Sequence, residues 1–384
     1  MIPYGRQSIS EADISAVVDV LRSDWITQGP AIATFERSVA DYCGVKHAVA
    51  VSNGTVALHA ACAALGLGPG GLLWTSPITF VASANCARYV GADVDFVDID
   101  PMTLNMGVEA LTAKLENAEK TGRLPDVVVP VHFGGLSCDM TAIGDLASRY
   151  GFRVVEDASH AIGGTHSGKS IGSCEFSDMA TFSFHAVKIV TTGEGGMVVT
   201  NNDDLAERLR LFRSHGITRD DSRMVGESQG PWYYEQVDLG YNARMTDIQA
   251  ALGSSQMQRI DEFVSIRNEL ADRYRKLLVG LPVRWQAVGG AGRSAYHLFV
   301  VELLDVDRRR VFDAMRDGGV GVNVHYIPVH LQPYYRDLGF TRGDFPHAEQ
   351  YYERAITLPL YPTLDDRQQD TVAAVLSETL KGLS

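Results

Sequence analysis

The sequence predicts an α/β fold with a mainly parallel sheet in a large domain and a smaller α+β unit at the carboxyl end, on three observations. Between about residues 47 and 200, short β-rich apolar runs alternate with helical runs, the pattern of parallel strands joined by crossover helices. After Thr246 a long helical pattern reaches about Leu278, followed by a strand-like run and another helix. The chain has 384 residues, 45% of them hydrophobic, enough to bury one large core and a smaller one. The expected division is residues 1–250 for the large domain, including the amino-terminal segment, and 251–384 for the smaller one.

In chain order, Ser8-Ile-Ser-Glu11 reads as a capping box for a helix through Leu21, with Ile14, Val17, Val18 and Leu21 at helical spacing. Ala48 to Thr55, followed by Val56 to Leu65, gives a strand, a small polar turn (Ser52-Asn-Gly-Thr55) and an alanine-rich helix. Thr75-Ser-Pro-Ile-Thr-Phe80 leads into the helical run Val81 to Tyr89, which puts Phe80 at a helix start. Asp126 to His132, Arg153 to Asp157 and Gly196 to Thr200 read as further strands. Charge and glycine around residues 217 to 231 suggest a mobile loop of the kind that gates sites. Ala295 to Glu302 is strand-like, and Asp307 to Met315 is helical.

Composition narrows the function. A formal charge of −13 argues against a general nucleic-acid surface, because phosphate backbones are held by Lys and Arg. It leaves room for a nucleotide substrate, whose diphosphate needs only a local donor cluster. Five scattered cysteines without a Cys-x-x-Cys pair fit reduced thiols and a cytoplasmic location. The amino terminus lacks a basic flank with an apolar run, and no stretch approaches ~18 apolar residues, so no membrane span is expected. The dispersed histidines give no metal-binding spacing, and none is expected.

The chemistry concentrates in four places. Thr181-Phe-Ser-Phe-His-Ala-Val-Lys188, running into Thr191-Thr-Gly-Glu-Gly-Gly196, sets one lysine beyond an apolar run, where burial favours the neutral amine that attacks an aldehyde. About thirty residues earlier, Arg153-Val-Val-Glu-Asp-Ala-Ser-His160 ends a strand in carboxylates. Asp157 could keep the ring nitrogen of pyridoxal phosphate protonated and the ring an electron sink. The turn at Gly54 and Thr55 opens a helix, and helix N-termini bind phosphate. Phe80 could stack on a flat ring. Lys169, the rival imine former, sits in a polar turn, Ser167-Gly-Lys-Ser170, where nothing suppresses its charge. Gly66-Leu-Gly-Pro-Gly-Gly71 satisfies G-x-G-x-x-G but follows a helix, where the dinucleotide fingerprint needs a strand, so it reads as a turn.

Six ordered motifs carry a resemblance over nearly the whole chain: Thr27-Gln-Gly-Pro30, Glu156 to His160, Phe182 to Lys188, Gly193 to Gly196, Arg213-Ser-His-Gly216 and Gly240 to Gly253. The chain resembles the DegT/DnrJ/EryC1/StrS nucleotide-sugar aminotransferases, which have the aspartate-aminotransferase fold, fold type I. Arg213 to Gly216 and Val324-His-Tyr-Ile-Pro-Val329 look most like the pseudaminic-acid pathway branch, which acts at C4 of a UDP-linked 4-keto-6-deoxy-N-acetylhexosamine. The resemblance implies that Lys188 links to pyridoxal phosphate, Asp157 pairs with the pyridine nitrogen and Phe80 stacks on the ring. Ser183, with Gly54 and Thr55, would hold the phosphate, and His160 would lie near the 3-hydroxyl. Asn242 would reach the phosphate of a partner subunit, which implies a homodimer with active sites at the subunit interface. Tyr4, Trp25, Gln28, His325 and Tyr326 match positions near the nucleotide-sugar substrate, and glutamate is the expected amino donor. Related 3-dehydratases replace the linking lysine with histidine; here Lys188 is retained. Alternatives are a C3 or C4 aminotransferase for a dTDP- or GDP-linked sugar, a different reaction on the same cofactor, and a non-catalytic regulatory protein.

Overall fold

A computed structural model describes residues 1–288 and 292–383. Its centre is a seven-stranded sheet in the order His47–Val51, Gly196–Thr200, Met179–Ser183, Arg153–Asp157, Val127–Val129, Leu72–Thr75, Asp93–Phe96. Gly196–Thr200 runs antiparallel to both neighbours, and the remaining pairs are parallel. The central strands are buried along their length, as a sheet with both faces covered requires.

The strand-to-helix turns form where the sequence places them. Asn53 caps the helix Gly54–Ala64, its side chain accepting from the Val56 amide. The helix Ala82–Tyr89 starts just beyond Phe80. The Gly66 to Gly71 segment leaves a helix and enters the strand Leu72–Thr75, with Gly66 and Gly70 in the left-handed region, the reverse of a dinucleotide-binding turn.

Several boundaries differ from expectation. The first capping box is Ser10 with Asp13, not Ser8 with Glu11, and opens the helix Glu11–Arg22. Asp13 wins because its buried carboxylate accepts from the Ser10 amide and from Gln256 Nε2. The long helical pattern is two helices, Asp247–Met257 and Ile260–Leu277. The amides of Gln258 and Arg259 bond to the Ser255 and Gln256 carbonyls, three residues back, which tightens and ends the first helix. The carboxyl-terminal strand starts at Phe299 rather than Ala295. Before it, Tyr296 has φ 46°, and the Ala295 and Leu298 amides bond to Gly135 and Gly134, so this stretch serves as a loop.

The smaller sheet is antiparallel, Val283–Trp285, Phe299–Leu303 and Ala355–Leu358. Its apolar cluster includes Val311 and Met315 from Arg308–Asp317, and Val372 and Leu376 from Asp366–Leu383. Ile260–Leu277 serves both cores: Ile260, Phe263 and Val264 pack with the large one, and Leu270, Ala271 and Tyr274 with the small one. The first residues also join the small unit, since the Ile2 amide donates to Gly319 and the Leu360 amide to Tyr4.

Buried Asp247 ties down the start of the helix Pro30–Cys43, accepting from the Gly29 and Ala31 amides at 2.7 and 2.9 Å. Replacing it with alanine strands both amides, so Asp247→Ala should lower unfolding free energy by about 3 kcal/mol. Urea denaturation checks this, and an unchanged midpoint would contradict it.

Candidate active site

The parallel register Val155↔Met179 and Asp157↔Thr181 brings the ends of two central strands side by side, the usual site location in an open α/β sheet. Asp157 ends one strand and Ser183 the other. Both line a cavity of about 500 Å³ with Gly54, Thr55, Phe80, His160, Lys188, Tyr4, His325 and Tyr326.

Lys188 lies not on a strand but in the loop between Met179–Ser183 and its antiparallel neighbour Gly196–Thr200. The Phe184 amide donates to Gly195, the Thr192 amide to Phe184 and the Lys188 amide to His185, so the loop is closed at its base and turned at the lysine. Burial lowers the Lys188 pKa from 10.5 to about 8, against the opposing pull of Asp157. A neutral amine is therefore accessible near physiological pH. Lys169 is exposed on a two-residue hairpin.

Asp157 Oδ1 accepts from the Ser159 amide at 3.1 Å and Oδ2 from Ser83 Oγ at 2.6 Å. Phe80 is 57% exposed and lines the cavity, leaving a ring face open to stacking. The helix Gly54–Ala64 begins beside Ser183, and its first amides have no intrahelical partners. A Cβ on Gly54 would stand 2.8 Å from Ser183 Cβ, so glycine permits the close approach. Gly196, behind them, would put a Cβ 2.3 Å from the Asn53 carbonyl oxygen.

Three histidines form another part of the wall. The His160 and His297 rings pack at a tilt of 47° with centroids 4.5 Å apart, and the Nδ1 atoms of both are buried without a hydrogen bond. Burial, reinforced by Lys188, holds both well below their ordinary pKa and pushes His325 down to about 3. All three are neutral at pH 7. Tyr326 Oη lies 3.1 Å from His160 Nε2, and Tyr4 packs against His325.

Asn242, Trp25 and Gln28 lie exposed on the surface outside this cavity. Sequence reasoning missed Thr79, Ser83 and His297, and did not assign His185 and Glu194, which also line it. Thr79 and Ser83 flank Phe80 within one turn, a spacing that offered a signal. His297 sat inside an apolar run and offered none.

Comparison with known proteins decides the class. The DegT/DnrJ/EryC1/StrS aminotransferase family matches residues 7–377. The chain belongs to this family. It is 40% identical to the spore coat polysaccharide biosynthesis protein SpsC of Bacillus subtilis (strain 168), over 99% of this chain and 97% of that one. The structure of Helicobacter pylori PseC, an aminotransferase involved in the biosynthesis of pseudoaminic acid, superposes with a TM-score of 0.91 at 28% identity over the whole of both chains. Spr1654 of Streptococcus pneumoniae, in its PMP form, gives a TM-score of 0.90 at 29% identity over the whole of both chains, and is also solved with PLP. The fold is therefore fold type I, and the chain is a pyridoxal-phosphate-dependent sugar aminotransferase.

The cavity fits the family's cofactor. It offers a glycine-opened helix terminus with a serine for a phosphate, an amine for an aldehyde, a carboxylate for a ring nitrogen and an open phenyl face for a ring. The lowered Lys188 pKa sets a pH dependence. Capture of pyridoxal phosphate by the apoprotein should accelerate as pH rises to about 8 and then level off. Stopped-flow absorbance reads this, and a rate still climbing steeply toward 10.5, the ordinary lysine value, would contradict it.

Proposed function

We propose that this chain transfers an amino group from glutamate to the C4 keto group of a UDP-linked 4-keto-6-deoxy-N-acetylhexosamine. The product would be a UDP-4-amino-4,6-dideoxy sugar such as UDP-4-amino-4,6-dideoxy-N-acetyl-β-L-altrosamine. The observation that carries the proposal is the convergence of Lys188, Asp157 and the Gly54 and Ser183 cradle on one cavity. The likeness to PseC across both whole chains supports the substrate.

Bound pyridoxal phosphate supplies an aldehyde that captures amines and a cationic ring that accepts electrons. Asp157 holds the proton on the ring nitrogen, Phe80 covers one ring face, and Ser183 with the Gly54 and Thr55 amides binds the phosphate. His160, ordered by Tyr326, faces the 3-hydroxyl side. Lys188 Nζ takes the proton from the donor's α-carbon and, in the second half of a ping-pong cycle, delivers one to C4 of the sugar. Tyr4, His325 and Tyr326 border the space left for the sugar.

The working unit we propose is a cytoplasmic homodimer. Among the described residues, Lys188 is the only lysine or arginine lining the cavity, so donors for the phosphates are expected from a second copy, with Asn242, Trp25 and Gln28 among the residues presented across the interface. Ile14, Leu21, Trp25 and Ile26 form an exposed apolar stretch that such a copy would cover. No described helix is long and apolar enough to cross a membrane, and the cysteines are free thiols.

Two measurements test these proposals. With ¹⁵N-glutamate, label should appear on C4 of the UDP-linked 4-keto sugar, with kcat/KM at least about tenfold above dTDP- and GDP-linked analogues. Preference for another nucleotide or for a 3-keto sugar would overturn the substrate assignment. Sedimentation should show a dimer that Leu21→Asp with Trp25→Asp converts to monomer; a monomeric parent protein would contradict the shared site.

A further inference from the structure

Beside the assigned residues, the turn that carries Phe80 also carries two buried hydroxyls, Thr79 and Ser83. Thr79 Oγ1 and Ser83 Oγ are 2.6 Å apart, and Ser83 Oγ is 2.6 Å from Asp157 Oδ2 and 3.3 Å from the Phe80 carbonyl oxygen. Proton inventory fixes the direction of this chain. An ionised carboxylate only accepts, and a serine hydroxyl has one hydrogen to give. The charge-assisted bond to Asp157 takes that hydrogen. Thr79 must then donate its own hydrogen to Ser83, so the chain runs from Thr79 through Ser83 to Asp157.

The arrangement also immobilises the carboxylate. Oδ2 is held by Ser83 and Oδ1 by the Ser159 amide, one bond from each of two separate segments. The Ser83 amide donates to the Phe80 carbonyl, so the stacking ring and the hydroxyl chain share a single backbone turn. Hydrogen bonds to the charged form make a carboxylate less basic. Lys188, Tyr326 and the buried Cys86 thiol are ionisable groups whose titration responds to Asp157.

We propose that Ser83, oriented by Thr79, is a positioning residue: by donating to Oδ2 it fixes Asp157 as an acceptor facing the cofactor's ring nitrogen, so that the proton shared between them stays on the nitrogen. This rests on Asp157 facing that nitrogen, as in the proposed function.

The test uses the full chain loaded with pyridoxal phosphate and reads the pH midpoint of the cofactor's visible absorbance change, which follows the proton on the Lys188 nitrogen. A ring with less positive charge lets that nitrogen hold its proton more tightly, so Ser83→Ala should raise the midpoint by about one pH unit. Ser83→Thr, which keeps the hydroxyl, should stay at the parent value, and Thr79→Val should shift the midpoint the same way by less. Should Ser83→Ala fail to fold, Thr79→Val, which leaves Ser83 in place, carries the test. Asp157→Asn separates the two claims. If it leaves the midpoint unmoved, the reading of Asp157 fails and this inference falls with it. If it raises the midpoint while Ser83→Ala and Thr79→Val do not, the inference alone is overturned.

Discussion

Parallel pairing of Arg153–Asp157 with Met179–Ser183 is the constraint on which the site depends. It places a carboxylate and a hydroxyl at neighbouring strand ends before any ligand contact is considered. The chain then reverses through a loop pinned at Phe184 and Gly195, which brings Lys188 back over the same end of the sheet. Gly196–Thr200 returns antiparallel into the sheet, and the loop is held by backbone hydrogen bonds at its base together with bonds from the Thr192 and Gln249 side chains to the Glu194 carbonyl.

Strand alternation divides the labour of two adjacent acids. Successive side chains leave a strand on opposite faces, so Asp157 meets the cavity and Glu156 points away from it. Glu156 is buried, accepting from Ser177 Oγ and facing His132 Nε2 at 2.7 Å. The Cys138 amide donates to His132 Nδ1, so Nε2 carries the hydrogen and gives it to Glu156. One acid is thus consumed by structure, and the other is left for the site.

Distant parts of the chain close the cavity. Tyr4 comes from the amino terminus, held by the Leu360 amide, and His325 and Tyr326 come from the smaller unit. Buried Arg267 donates to the carbonyls of Tyr296, His297 and Leu360, which fixes the backbone at His297 and joins it to the segment that supports Tyr4. The neutral histidines and the depressed lysine share one cause, their removal from water.

Local pattern made much of this legible. The alternation from residue 47 to 200 and the strand end at Asp157 rest on short-range periodicity and turn chemistry, and the structure has them there, while the helix expected from Val56 begins two residues earlier, at Gly54. Lys188 is recognisable beyond the apolar run that ends the strand, and the structure places it in the loop that follows. The spacing around Phe80 points to the turn that carries Ser83, but not to its contact with Asp157, 74 positions away, and His297 acquires its meaning from packing against His160, which no local spacing encodes. The break at Gln258 and the late start at Phe299 are likewise decided by backbone hydrogen bonds that periodicity does not report.

The central claim is that the cofactor's aldehyde carbon is attached to Lys188 across the cavity from Asp157. Borohydride reduction of the cofactor-loaded protein followed by peptide mass mapping tests it most directly. A pyridoxyl phosphate adduct on the peptide containing Lys188, and its absence in Lys188→Ala, is the expected result. An adduct that persists in Lys188→Ala, or that forms on Lys169 instead, would contradict it.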